Sequence, residues 1–332
     1  MYWSTKQWLT IIILALRFFV DTKVCSNLVT FDDVHNALQA SKIVYDKSVA
    51  LKLPIPYTKF KIKQLYQIDS DDDSIEDGLK VLVAEKDDEF TTLVAIKGPN
   101  GPDALKYNVY QKLQRFDGVK VKFKNDETSV NALFWKAFEM IKNNIAPKMQ
   151  DQSRKYILTG HSIGGAIASI LALYLKSNEG RMWENPESCL ITFGQPRVGD
   201  IRYAILHDKL IDPFRKFRFV NDLDPAPHIP FWPEAVHHSR EIWMTSAIMS
   251  KEKYWKICGV MEPLRGSNMW VQNPQVNDHD IRAYRDFIVH PPSVYLDTFY
   301  GRHTKWIDAL ENSCSGNTTI NFSNDDLIPQ SF

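Results

Sequence analysis

The chain of 332 residues is poor in cysteine: Cys25, Cys189, Cys258 and Cys314 are its four, scattered with no C-x-x-C pair. That spacing excludes a zinc finger or ribbon, and no metal is expected. Net charge is lacking as well. Forty Lys and Arg balance forty Asp and Glu, so no overall field draws the chain to nucleic acid or to an anionic membrane. Internal repeats, low-complexity blocks and long Gly/Ser linkers are missing too, which argues against a solenoid and for one folded domain. No uninterrupted apolar run reaches the roughly 20 residues that a bilayer-spanning helix needs.

What is present is enough to build a large core, since 44% of residues are hydrophobic and 12% aromatic. Near the start, Lys6 precedes the short apolar stretch "WLTIIILAL", the pattern of a removable export signal over residues 1–24. Cleavage after Thr22 or after Ser26 leaves small residues near the cut, the choice deciding whether Cys25 survives, and one folded domain is expected over residues 27–332. "NTT" at Asn317 and "NFS" at Asn321 are glycosylation acceptor patterns that fit a secreted, extracellular chain. Cys189 opens an apolar run and is expected as a buried thiol.

Lysines at alternate positions, Lys59, Lys61 and Lys63 and again Lys120, Lys122 and Lys124, predict the wet faces of two strands. The acidic run "DSDDDSIED" around Asp71 predicts a solvated loop. Helical spacing covers "FDDVHNALQASKIVYD" from Phe31, and "KVLVAE" and "TTLVAIKG" are short strands rich in branched residues. A helix is expected over "SVNALFWKAFEMIKNNI", a strand over "RKYILTG", a helix over "GGAIASILALYLKS", and apolar runs follow in "SCLITFG" and "FRKFRFVND". Strands alternating with helices predict an α/β sheet covered on its faces by helices.

Within that alternation, "YILTGHSIGGAIAS" sets Ser162 between Gly160 and Gly164 where a strand gives way to a helix. A nucleophile elbow needs this setting: the serine sits in a sharp turn, and the glycines let strand and helix approach without a Cβ clash. A strand-to-helix turn without chemistry would spell the same way. A serine hydroxyl is a poor nucleophile until a base takes its proton and an acid orients that base. Asp224, followed by Pro225, is the acid favoured beyond the strand in "FRFVNDLDPAPHIP", with Asp222 in reserve. Seven histidines follow the serine. His279 in "NDHDIRAYRDF" stands where a polar loop enters a helix and Tyr284 can pack beneath it, and His303 in "YGRHTKWI" is second.

"GHSIGGAIAS", "ITFGQPRVGD", "RFVNDLDPAPHIP", "HHSREIWM" and "NDHDIRAY" stand in an order and spacing that resemble the class 3, fungal-type lipase family over residues 31 to 290. The resemblance implies an α/β-hydrolase fold with a mostly parallel central sheet flanked by helices and a helical lid over the active site. It implies Ser162 as nucleophile, Asp224 as acid and His279 as base, with the amide of Ile163 as one oxyanion donor. It implies hydrolysis of lipid carboxylic esters, as a triacylglycerol lipase or a phospholipase A1, at an oil–water or membrane surface, with no cofactor and no obligate protein partner. The lid falls between Gly98 and Val119, where Leu105, Val109, Leu113 and Phe116 make one apolar stripe on a helix; such a stripe also suits ordinary core.

The chain departs from that pattern in three places. "IKGPNG" puts Lys97 where the family has arginine and Pro99, with no N–H, at the second oxyanion donor, leaving Asn100 as substitute. "VKVKFKN" replaces a His-x-Gly-Phe stretch. Cys258 matches a family cysteine whose partner near Gly266 is absent; Cys25 and Cys314 can instead tie the two ends together, provided Cys25 remains after processing. Pro99 motivates the alternative of a lipase-like lipid-binding or effector protein with little or no turnover.

Overall fold

A computed structural model describes residues 29–69, 78–86, 90–98, 113–178, 181–231, 233–244, 255–258, 267 and 275–284, all within one compact unit, Val29–His290. Its elements are α1 (Phe31–Ile43), β1 (Phe60–Ile68), β2 (Leu79–Lys86), β3 (Thr91–Lys97), β4 (Gly118–Phe123), β5 (Asp126–Asn131), α2 (Ala132–Ile145), β6 (Lys155–His161), α3 (Ile163–Asn178), β7 (Cys189–Phe193), α4 (Ile201–Leu210), β8 (Lys216–Asn221), β9 (Glu241–Met244) and β10 (Trp255–Cys258), with short 3-10 turns between. Eight strands form one sheet in the order β1-β2-β3-β6-β7-β8-β9-β10, and β4 pairs with β5 separately. From β3 to β9 the neighbours run parallel, while β1, β2 and β10 are attached antiparallel.

The parallel strands are buried on both faces, which is why β3, β6 and β7 carry near-continuous apolar runs; β8, equally buried, alternates, and its Lys216 and Arg218 pair with Asp208 and Glu241. Side-chain alternation along β6 sends Tyr156 and Leu158 into the main core, where α2 and α3 contribute Phe134, Phe138, Ile167 and Leu171. Ile157, Thr159 and His161 point the other way, toward α1. That helix starts at a capping box in which Thr30 and Asp33 satisfy each other's backbone N–H. The Asp33 carboxylate also pairs with Lys155 at 2.8 Å, and Ser41 Oγ meets Thr159 Oγ1 at 3.0 Å. These contacts lay α1 along β6, with its C-terminal end beside the end of the strand.

The lysine stripes fall as the alternate spacing predicts: Lys61 and Lys63 are outward or solvent-side on β1, and Lys120 and Lys122 on β4 are exposed between buried Val121 and Phe123. The long helix starts later than its periodicity suggests. Ser129 to Asn131 belong to β5, and the Asn131 side chain caps α2 by accepting from the backbone N–H of Leu133 and Phe134. Cys189 is a buried free thiol on β7, and burial pushes its pKa up. The acidic run near Asp71, the export signal, Cys25, Cys314, Asn317 and Asn321 lie outside the described residues, as does the Cys258 side chain. Among the described residues no helix is long and apolar enough to cross a membrane.

Candidate active site

Ser162 stands between the last residue of β6 and the first of α3 with φ 56, the left-handed region that a side chain pays about 1–2 kcal/mol to enter. The glycines around it make the turn possible. A Cβ on Gly160 would lie 2.4 Å from Gly164 O, and one on Gly164 would lie 2.1 Å from Ile96 O. β3, β6 and α3 therefore approach backbone to backbone. Ser162 N–H donates to Phe193 O (2.9 Å) and Gly194 N–H to Phe219 O (2.9 Å), so the ends of β6, β7 and β8 line up as one edge, the place where open α/β sheets present their crevice.

Asp224 comes from the turn after β8, closed by Asp224 N–H to Asn221 O at 2.8 Å. His279 ends a 3-10 turn, Val276–His279, which is laid onto that same loop: Gln275 N–H donates to Leu223 O (3.0 Å), Leu223 N–H to the Asp278 carboxylate (3.2 Å), and the Asn221 amide to Asp278 O (3.0 Å). The outcome is a continuous hydrogen-bond chain. His279 Nε2 is 2.8 Å from Ser162 Oγ, and His279 Nδ1 is 2.9 and 3.0 Å from the two oxygens of Asp224.

Asp224 is fully buried and accepts two further hydrogen bonds, from Ala226 N–H (2.8 Å) and Tyr284 O–H (2.5 Å). Burial alone would raise its pKa, but the His279 charge and hydrogen bond, with those two donors, outweigh it and hold the carboxyl below the usual range. Tyr284 is pushed well upward by burial and by the Asp224 charge, so its phenol keeps the proton it donates. An acceptor-only carboxylate fixes His279 with its hydrogen on Nδ1, which leaves the Nε2 lone pair for the serine hydroxyl.

The structure thus brings together Ser162, Asp224 and His279, three of the sites chosen from sequence, with Tyr284 beneath Asp224. Asp222 stays in its turn at φ 37. Ile163 is the first residue of α3, where the helix offers its own amides no carbonyl partner. Gly98, at the end of β3, packs so closely that a Cβ there would come 2.8 Å from Gly164 N. Pro99, Asn100, Leu105 and Val109, and with them most of the expected lid, lie outside the described residues, as does His303. Leu113 is buried in the main core and Phe116 is half-buried.

Gly194 escaped the sequence reading as a site residue. Its φ is 56, and a Cβ on it would lie 2.8 Å from Asp224 Oδ2 and 3.0 Å from His279 Nδ1 and Cε1. It is the floor under the Asp–His pair. A second group of potential metal ligands, His207, Asp208 and His238, gathers its donor atoms within 4.8 Å. There the Lys216 ammonium, 2.5 Å from Asp208 Oδ1 and 3.1 Å from His207 Nδ1, serves as the cation.

Comparison with known proteins places this geometry. Residues 93–234, which include the serine elbow and Asp224, match the family model for lipase (class 3). Over those residues the chain resembles the class 3 lipase family. The chain is 33% identical to the lipase of Rhizomucor miehei over 160 residues, 46% of this chain and 42% of that one. It is 29% identical over 119 residues to a Penicillium cyclopium protein named secreted mono- and diacylglycerol lipase A, covering 34% of this chain and 36% of that. The matched stretches thus span less than half the length of these relatives. Among solved structures, the Rhizopus microsporus var. chinensis lipase superposes with TM-score 0.62 at 23% identity, over 76% of this chain and 88% of that one. The Rhizomucor miehei triacylglyceride lipase gives TM-score 0.62 at 24% identity, over 74% and 91%. At those identities the likeness carries the fold alone: the chain has the α/β-hydrolase fold, a mostly parallel central sheet flanked by helices.

Proposed function

We propose that the chain is a secreted serine hydrolase that cleaves lipid carboxylic esters through an acyl-enzyme, with Ser162 as nucleophile, His279 as base and Asp224 as its orienting acid. The observation that carries this reading is the 2.8 Å contact between His279 Nε2 and the Oγ of a serine held at positive φ, continued through Nδ1 into a buried carboxylate. His279 takes the serine proton as Oγ attacks the ester carbonyl, Asp224 stabilises the imidazolium that results, and His279 returns the proton to the leaving alcohol. Water then repeats the two transfers and frees the fatty acid.

The oxyanion is held by the Ile163 amide and by a second donor from the segment after Gly98, assigned to Asn100 because Pro99 has no N–H. The substrate is a triacylglycerol or a phospholipid cleaved in the manner of a phospholipase A1, met at an oil–water or membrane surface. The names of the fungal relatives, a lipase and a secreted mono- and diacylglycerol lipase, support a lipid ester substrate and export. Export accords with a signal over residues 1–24 and one folded domain over residues 27–332. No cofactor and no obligate protein partner enter the mechanism.

A fluorophosphonate probe tests this reading. Folded protein is expected to label stoichiometrically and heat-denatured protein not at all; folded protein that does not label sinks the hydrolase. Pro99 favours one other reading, a lipid-binding protein with the same elbow but little turnover, and it predicts probe labelling without measurable release of fatty acid.

Gly194→Ala carries a second expectation. The added methyl must displace the Asp224 carboxylate or the His279 ring, and a misplacement of about 1 Å costs on the order of 100-fold in kcat. Circular dichroism should show the variant folded while its turnover of a soluble ester falls by about that factor. Unchanged turnover would show that the Asp–His pair needs no glycine beneath it.

A further inference from the structure

Ser162 and Asp224 are fixed by the turns that carry them, and His279 arrives on a four-residue 3-10 turn hydrogen-bonded to Asn221 at the end of β8 and to Leu223. Those bonds hold Gln275 and Asp278; the backbone oxygen of His279 itself is held by a neighbouring side chain, that of the residue before the serine. His161 is fully buried on the α1 side of β6. Its Nε2 is 2.7 Å from the backbone oxygen of His279, its Nδ1 is 3.0 Å from the Tyr45 hydroxyl, and its ring lies 4.6 Å from the His279 ring at 32°.

The partners dictate the proton positions. A carbonyl oxygen only accepts, so Nε2 carries the hydrogen; Nδ1 is then bare and accepts from the Tyr45 O–H. Burial first, and the adjacent His279 second, hold the His161 pKa down to about 3, while burial and the Asp280 charge push Tyr45 upward. The ionisable groups around this ring are Tyr45, His279, Asp224 and Asp280. Both members of the pair therefore keep one protonation state across the neutral range. The ring that faces the transient imidazolium on His279 is uncharged and adds no repulsion to it.

We infer that His161, locked in a single tautomer by Tyr45, is a positioning residue that holds the His279 backbone so that Nε2 reaches Ser162. The assignment rests on the hydrolase reading for its kinetic consequence, but the geometry is independent of turnover. Tyr45 reaches the site from the end of α1, 116 residues away in sequence, so the first helix of the domain becomes part of the support of the general base.

Three variants and two readouts test it. His161→Leu keeps the bulk and removes the donor, His161→Gln keeps an N–H donor of similar reach, and Tyr45→Phe removes only the lock. With a soluble short-chain ester, His161→Leu is expected to lose about 100-fold in kcat with KM changed less than about 2-fold. His161→Gln should recover to within about 10-fold of the wild type, and Tyr45→Phe should fall in the same direction by a smaller factor. A folded His161→Leu with wild-type kcat overturns the inference, and so does an equal deficit in the Leu and Gln variants, which would make the role one of packing. The second readout is nitrogen-15 NMR of the histidine side chains in the free protein. His161 is expected as the Nε2–H tautomer from pH 5 to 9, and the His279 ring is expected to lose its single Nδ1–H tautomer in His161→Leu. An Nδ1–H tautomer at His161, or an unaltered His279 ring in His161→Leu, overturns the inference. This arm needs no substrate, so it decides the role of His161 even where the wild type fails to label with the probe and the hydrolase reading falls.

Discussion

Ser162→Ala, His279→Ala and the double variant are expected to lose activity to about the same floor, on the order of a million-fold below the wild type in kcat. The serine hydroxyl and the imidazole act as one unit across their 2.8 Å contact. Without Oγ there is no proton for Nε2 to take, and without Nε2 the hydroxyl stays protonated and weakly nucleophilic. Either deletion removes the covalent path entirely, so the second deletion has nothing left to remove. What persists is water attack helped by the oxyanion donors and by substrate positioning, about a thousand-fold over the uncatalysed rate.

Asp224→Asn should stop short of that floor, at roughly ten-thousand-fold. An amide in that place cannot accept from His279, Ala226 and Tyr284 together, so the imidazole loses its fixed tautomer but not its position beside the serine. The check is kcat on a soluble ester for each purified variant, with circular dichroism confirming the fold. A single variant that keeps more than a hundredth of wild-type kcat, or a double variant clearly slower than both singles, would sink the assignment of one shared unit.

The parts of this site that sequence discloses are those whose logic is local. Gly160, Ser162 and Gly164 declare an elbow because their spacing is local, and the clash that Gly160 avoids lies within one turn of chain, although the one that Gly164 avoids is with Ile96 on β3. Helical spacing from Phe31 declares α1 for the same reason, and the structure adds its cap, Thr30 with Asp33. Asp224 and His279 took more, because the loops that carry them are indistinct as isolated strings; the family spacing picked them out of several carboxylates and seven histidines.

Gly194, His161 and Tyr45 stayed hidden for a physical reason. Their contacts exist only after β6, β7 and β8 align, with His161 opposite Phe193 and Phe193 opposite Phe219. That alignment sets Gly194 beneath a carboxylate 30 positions later and sends His161 to the face where α1 ends. The start of α2 shows the same override on a smaller scale. Helical spacing runs back to Ser129, but Asn131 N–H bonds to Val198 O and its side chain caps the helix, so tertiary pairing claims the first three residues as strand. Alternation along β4 survives because that ribbon has one wet face, which a period of two records directly.

The fold is expected to fail sharply in mild acid, losing about 5 kcal/mol between neutral pH and pH 5.5. His161, His207, His237 and His238 are each almost wholly buried, and burial is the leading cause holding all four below the ordinary value of 6.5. In the native state they stay neutral as the pH falls past 6.5, while in the unfolded chain each takes up a proton. The unfolded state then binds more protons, so stability is fully present above about pH 6.5 and is lost progressively below it, toward the folded values, which for His161 is about 3. Each group costs about 1.4 kcal/mol per pH unit in that window, and four together approach 5 kcal/mol one unit below 6.5. Native domains hold only about 5–15 kcal/mol in total. Asp224, whose pKa is lowered, joins only further down, below the carboxylate range. The packing forbids the simple escape of charging in place: the His207 and His238 rings stack at 3.9 Å and 5°, share Ser169 Oγ at 3.3 and 3.1 Å, and lie beside the Lys216 ammonium. Urea melts at pH 7.5, 6.5 and 5.5 measure the effect as a falling midpoint, and calorimetry in two buffers of different ionisation heat counts the protons taken up on unfolding, expected to approach four at pH 5.5. A midpoint that stays level across those pH values, with an unchanged denaturant slope, would mean that these imidazoles take up protons without leaving the fold, and that the cluster behind the elbow is wetter than its burial shows.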